Sequence, residues 1–234
     1  MIQIKNLKAW YKKNEFILKD ININIDSGLI FGLLGVNGAG KTTFLNCLTG
    51  IHNKFEGEIY LNNDNFIKNP IGFKRNRYFI PDYPILFEEM SGFNYIEFVH
   101  NLYKKYLNLE KLYYYCELFS FNNYINKKIQ TLSLGNKQKI AIICGLLLDT
   151  PLLILDEPLV GLDIVSIDNF YKEMKNYVKR GNSIIFSSHL IEVINSVCDK
   201  VAILDEGRIK KIITINEDTN IKTVFFKVTK NEYE

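Results

Sequence analysis

Apolar positions along the chain change their period twice. In the opening third they alternate with polar ones, in "IQIKNL" and "FILKDININID", and then run together in "LIFGLLG". Alternation with period two predicts half-buried strands, and a short unbroken run predicts a strand covered on both faces. "FLNCLTG" has helical spacing and stops at Gly50, a C-terminal cap. "GEIYLNND" reads as a strand and a turn. From about Pro81 to Leu134 the spacing becomes helical, and "FNYIEFVHNLYKKYL" and "LEKLYYYCELFSF" predict amphipathic helices rich in Tyr and Phe. The chain then alternates again. A helix is predicted from about Asn136, then the strand "LLILD", a helix over Ser166 to Arg180, the strand "SIIFSSH", the helix "LIEVINSVC", and the strands "KVAILDE" and "RIKKII". Strands rich in β-branched residues, separated by helices, predict an α/β fold with a mostly parallel sheet.

Composition adds exclusions more than assignments. At 234 residues and 47% hydrophobic, the chain can bury a substantial core. Its 29 basic residues against 26 acidic leave a net charge of +3, too mild a bias to predict a nucleic-acid partner. Cys47, Cys116, Cys144 and Cys198 form no close pair of zinc-site spacing, so they are expected to be reduced and buried. The opening "MIQIKNLKAWYKK" has no apolar stretch of the leader type. The most membrane-like segment, "IAIICGLLLDTPLLIL", falls short of the roughly 20 apolar residues that span a bilayer. Asp149 and Pro151 also interrupt it, so it reads as a helix end, a turn and a strand.

Chemistry enters at "GVNGAGKTT". Gly35, Gly40, Lys41 and Thr42 fit G-x-x-x-x-G-K-[ST] in full, between an apolar strand and a helix. Glycines let the backbone fold so that several N–H groups face one anion, and the helix N-terminus behind them favours negative charge. Asn37, Gly38 and Ala39 complete this cradle. Lys41 is expected on the β- and γ-phosphates, the Thr42 hydroxyl on Mg²⁺ and Thr43 near the α-phosphate. In "LLILDEP" a buried strand delivers two carboxylates at its C-terminal edge, where α/β sheets bind ligands. Asp156 is expected to hold Mg²⁺ and Glu157 to polarise an attacking water.

With these two motifs in place the sequence resembles the ATP-binding cassette (ABC) family. "LSLGNKQ" looks like the family's signature, "GLD" (Gly161 to Asp163) like its D-loop, and "SSH" (Ser187 to His189) like its switch-histidine region. The resemblance implies one ABC ATPase domain, with an antiparallel β-subdomain and the start of the core over 1–81, an inserted helical subdomain over 82–134, and the rest of the core over 135–234. It implies that Tyr11, or its neighbour Trp10, stacks on adenine. It implies that Ser133, Gly135 and Asn136 cap the triphosphate held by an opposing ATPase subunit, with Asp163 nearby. It further implies that His189 meets the γ-phosphate and positions the water with Glu157. Two such subunits, identical or different, then sandwich two ATP molecules.

Two positions depart from the family pattern. Leu134 replaces a signature glycine, which is acceptable where φ is negative. Asp82, in "RYFIPDYP", stands where the family places a glutamine that approaches Mg²⁺. The resulting expectation is the ATPase subunit of a transporter, with exporter-like features. It would sit at the cytoplasmic face of the cell membrane through a separate permease, gripped by aromatics such as Tyr83, Phe87, Phe93 and Tyr95. A soluble ATPase acting on nucleic acid or ribosomes is the alternative. A module that holds ATP without turnover is a third reading, against which Lys41, Asp156, Glu157 and His189 all stand.

Overall fold

The structure, a computed structural model, describes residues 1–12 and 15–229. Strands β1 (Ile2–Trp10) and β2 (Phe16–Ile25) pair antiparallel. Strand β3 (Ile30–Leu34) runs through the glycine-rich loop into helix α1 (Lys41–Thr49). Strand β4 (Phe55–Leu61) returns to β1 and turns through Asn62 and Asn63, both left-handed, into β5 (Asp64–Asn65). Then follow α2 (Pro70–Arg75), β6 (Arg77–Ile80), α3 (Gly92–Tyr103), α4 (Leu109–Leu118) and α5 (Leu134–Leu148). The last part comprises β7 (Leu152–Asp156), α6 (Ile164–Lys179), β8 (Ser183–Ser188), α7 (Ile191–Val197), β9 (Lys200–Asp205), β10 (Arg208–Thr214) and α8 (Ile221–Thr229).

Two sheets result. A four-stranded antiparallel sheet has the order β2-β1-β4-β5, and a six-stranded one has the order β10-β9-β3-β8-β7-β6. The larger sheet is parallel from β9 to β6, with β10 antiparallel on its edge. Every residue of β3, β7 and β8 is buried, as parallel strands covered on both faces require.

Period two divides these strands between two cores. Leu152 and Ile154 of β7 face a core shared with α1 and the antiparallel sheet. Leu153 and Leu155 face the other, built with α3, α4, α5 and α6. Each fully buried aliphatic of this kind contributes about 1.5–3 kcal/mol. The same alternation carries Asp156 to the side of α1 and the loop before it. The strand that holds the sheet together thus also delivers the carboxylate to the phosphate loop.

Several element ends differ from the periodicity reading. Helix α5 starts at Leu134 rather than Asn136, because the Ser133 side chain accepts from the Asn136 N–H and makes Ser133 the cap. Asp163 likewise caps α6, which starts at Ile164 rather than Ser166. Helix α3 stops at Tyr103, where Lys104 turns left-handed at φ +55°, so the following "KYL" lies outside it. Helices α2 and α8 escape the periodicity reading altogether. Among the described residues, no helix is long and apolar enough to cross a membrane. All four cysteines are free and buried, as composition predicted.

Candidate functional site: a phosphate loop facing two carboxylates and a histidine

The loop after β3 is shaped by close approaches that only glycine allows. A Cβ on Gly35 would stand 2.4 Å from the Leu204 carbonyl oxygen of β9. Gly40, at φ +106°, is the residue before α1 and offers its N-terminus no side-chain cap. The free N–H groups of the first turn are therefore left for a ligand. Lys41 opens the helix and is only 8% exposed. Its Nζ donates to the Gly35 carbonyl at 2.8 Å and to that of Val36 at 3.4 Å, which holds the ammonium over the loop. Burial lowers its pKa, while the Glu157 and Asp156 carboxylates push the other way.

Asp156 ends β7 and is 2% exposed. The Ser187 hydroxyl donates to its Oδ1, since β7 and β8 run parallel with Asp156 and Ser187 in register. Burial raises the Asp156 pKa. Hydrogen bonds from Ser187 and Thr42 oppose the rise, and the nearby charges of Asp82 and Glu157 add to it. Glu157 follows with φ +45°, a left-handed backbone that costs a non-glycine residue about 1–3 kcal/mol. Its amide donates to the Ser187 hydroxyl at 3.2 Å. Its carboxylate meets His189 Nδ1 at 2.9 Å through Oε1 and the Ser188 hydroxyl at 3.4 Å through Oε2.

One cleft of about 550 Å³ gathers most of the expected residues: Tyr11, Asn37, Gly38, Gly40, Lys41, Thr42, Thr43, Asp82, Asp156, Glu157 and His189. Ile17 and Val160 also line it, and sequence reasoning did not single them out. Gly35 and Ala39 shape the loop without lining the cleft. The Ala39 N–H is engaged by the Val36 carbonyl and its methyl is buried. Tyr11 stands at the cleft with its hydroxyl 3.3 Å from Thr43 Oγ1 and its ring 4.8 Å from that of His52. Trp10 packs edge-on against Phe16 instead, so of the two aromatics it is Tyr11 that faces the cleft. Ser187 and Ser188 lie in the "SSH" segment already singled out, but their bonds to Asp156 and Glu157 were not foreseen. Their signal was two hydroxyl residues closing a strand whose middle, "IIF", is apolar.

Ser133, Gly135, Asn136 and Asp163 lie outside the cleft of their own chain. Ser133 and Asn136 share the cap of α5. Leu134 takes the first helical position and is absent from the residues of positive φ, which meets the condition its side chain imposes. Gly135 packs on Gly161 so tightly that a Cβ would stand 2.0 Å from the Gly161 carbonyl oxygen. Asp163 accepts from the Ser166 amide and hydroxyl, both at 2.8 Å, and pairs with Lys139 Nζ at 2.8 Å. These contacts hold its carboxyl well below the usual range, the Lys139 hydrogen bond first. Of the four aromatics proposed to grip a partner, Tyr83 and Phe87 are exposed. Tyr95 is buried, and Phe93 packs partly buried against the core.

Comparison with known proteins agrees with this architecture. The ABC transporter family profile matches residues 18–160. AlbC of Bacillus subtilis (strain 168), named as an ABC transporter ATP-binding protein, is 43% identical over 240 residues, covering 99% of each chain. A solved ATP-binding subunit of an ABC transporter superposes with a TM-score of 0.89 at 25% identity, covering 97% of this chain and 99% of that one. A dimeric ATP-binding cassette bound to ADP and Pi shares the fold, with a TM-score of 0.81 at 24% identity over 92% of this chain and 99% of that one. With its phosphate loop set against the carboxylates at the end of β7 and just beyond it, the chain belongs to the ABC transporter family, as an ATP-binding subunit that hydrolyses ATP for transport.

Proposed function

We propose that this chain drives export through a separate membrane-spanning permease, at the cytoplasmic face of the membrane, and works as a head-to-tail pair of ATPase subunits. The observation that carries the paired arrangement is the split of the expected phosphate contacts. Lys41, Thr42, Asp156, Glu157 and His189 share one cleft, whereas Ser133 and Gly135 head a helix outside it. A helix N-terminus with a serine cap suits a phosphate, and a second subunit supplies one. The dimeric cassette of the same fold supports the arrangement. Export rests on the "SLG" form of the signature and on Asp82, both exporter-like by resemblance.

The residues around Asp156 fit Mg²⁺. A buried carboxylate that shares its cleft with the Thr42 hydroxyl and with the Asp82 and Glu157 carboxylates favours a divalent cation. Among the described residues no three His, Cys, Asp or Glu side chains form a ready-made cage. Mg²⁺ is characteristically held by one or two carboxylates and completed by phosphate and water. When bound, Mg²⁺ neutralises charge on the phosphoryl oxygens. Thr42 and Asp156 hold it, Lys41 spreads the charge of the transferring group, Glu157 orients or deprotonates the water, and His189 aligns Glu157 and meets the γ-phosphate. The ring of Tyr11 receives the adenine.

Asp82 is proposed to sense the cation and couple it to the helical region. Its Oδ1 accepts from the Tyr83 amide at 2.8 Å, which aligns the carboxylate at the start of that segment. Asp82→Asn is expected to shift the Mg²⁺ concentration for half-maximal hydrolysis upward by about three- to tenfold, because one charge near the cation is removed. A Mg²⁺ titration of phosphate release checks this, and an unchanged curve and rate refute it. The transporter reading is checked by purifying the tagged chain from native membranes in mild detergent. A polypeptide with membrane spans should co-purify and raise the ATPase rate. Recovery with nucleic acid or ribosomes instead favours the alternative.

A further inference from the structure

Helix α5 grips the loop after Glu157 at three places within its first two turns. Gln138 has no exposed surface and donates from Nε2 to the Pro158 carbonyl at 2.9 Å. Gly135 abuts Gly161, itself left-handed at φ +79°. Lys139, 7% exposed, reaches Asp163. Positions 158, 161 and 163 of the loop are thus each fastened to the same helix. The first of these fastenings is one peptide beyond Glu157, whose left-handed backbone requires its surroundings to hold it.

Packing does not account for an amide at position 138. The Gln138 Oε1 is buried and has no hydrogen-bond partner. A buried acceptor left unpaired costs free energy that an apolar side chain of equal length avoids. What the amide adds is a directional bond to Pro158.

We propose that Gln138 is a positioning residue for hydrolysis. It ties the end of α5 that faces the opposing subunit's triphosphate to the carbonyl of Pro158, the residue that follows Glu157. Docking at one nucleotide then sets the carboxylate that serves the other, and the two sites are coupled through a single helix. This rests on the paired arrangement proposed above.

Gln138→Met tests it, since methionine matches the length, lacks the donor and leaves no unpaired acceptor of its own. The purified chain is measured for steady-state phosphate release and for ATP affinity, and the substitution is combined with Glu157→Gln to follow ATP-held dimers by light scattering. Loss of the bond is expected to lower kcat about tenfold. ATP affinity should stay within about twofold, because none of the residues that line the cleft has changed. The double variant should still form the ATP-held dimer. Unchanged kcat overturns the proposal while leaving the dimer standing. A loss of ATP affinity equal to the loss of rate also overturns it, because the defect is then general. Failure of Glu157→Gln alone to form an ATP-held dimer removes the paired arrangement, and this coupling with it.

Discussion

Replacing Glu157 with glutamine should leave ATP binding near its native strength, slow hydrolysis by about 10²–10⁴-fold and cause an ATP-held dimer to accumulate. The substitution is close to isosteric, so the amide oxygen can keep the 2.9 Å contact with His189, while the NH2 replaces the oxygen at 3.4 Å from the Ser188 hydroxyl and donates to it instead. What is lost is the negative charge that pulls a proton from water. Binding rests mainly on the loop and on α1, which Glu157 does not build. The dimer accumulates because hydrolysis removes the anion that holds the two faces together, and the variant removes that exit. Phosphate release measured beside light scattering with ATP checks both halves. Full turnover in this variant would show that another group activates the water.

The parts of the site that could be read without coordinates are those whose chemistry is local. "GVNGAGKTT" fixes the loop through glycine and a helix start, all within one short segment. "LLILDE" declares a strand buried on both faces, and alternation carries Asp156 to the α1 side. Long-range contacts were not legible. The Asp156–Ser187 bond depends on β7 and β8 lying side by side in register, which is a matter of topology. Gly135 looked like a phosphate contact alone, yet its close approach to Gly161 already forbids a side chain there. Asn69 caps α2 with Pro70 after it, a local start signal that the period-based reading did not use, because six residues are too few for a helical period to emerge. Helix α8 is amphipathic over nine residues and anchors Ile221 and Phe225 in the core, a role that only its tertiary neighbours reveal.

Lys41→Ala should weaken ATP binding by about 100-fold, the loss expected from one or two charge-assisted hydrogen bonds to phosphate at roughly 1.5–3 kcal/mol each. The native ammonium is already positioned. It lies 2.8 Å from the Gly35 carbonyl and is nearly buried, so little rotamer freedom is left to lose when phosphate arrives. Burial lowers its pKa, and the carboxylates of Glu157 and Asp156 oppose that fall. A triphosphate adds negative charge at the same place and so favours the ammonium further. Alanine leaves Asp156 and Glu157 facing the phosphates without the intervening cation, and their repulsion adds to the lost attraction. The loop should survive, because Gly35, Gly40 and the Ala39–Val36 backbone bond define it independently of this side chain. Thermal unfolding separates the two effects. Without nucleotide, the variant should melt close to the native protein. Millimolar Mg-ATP should raise the native midpoint in proportion to RT ln(1 + [L]/Kd) and leave the variant nearly unmoved. An equal ATP-induced rise in both proteins would place the ground-state phosphate contacts on the backbone cradle alone and remove Lys41 from ATP binding.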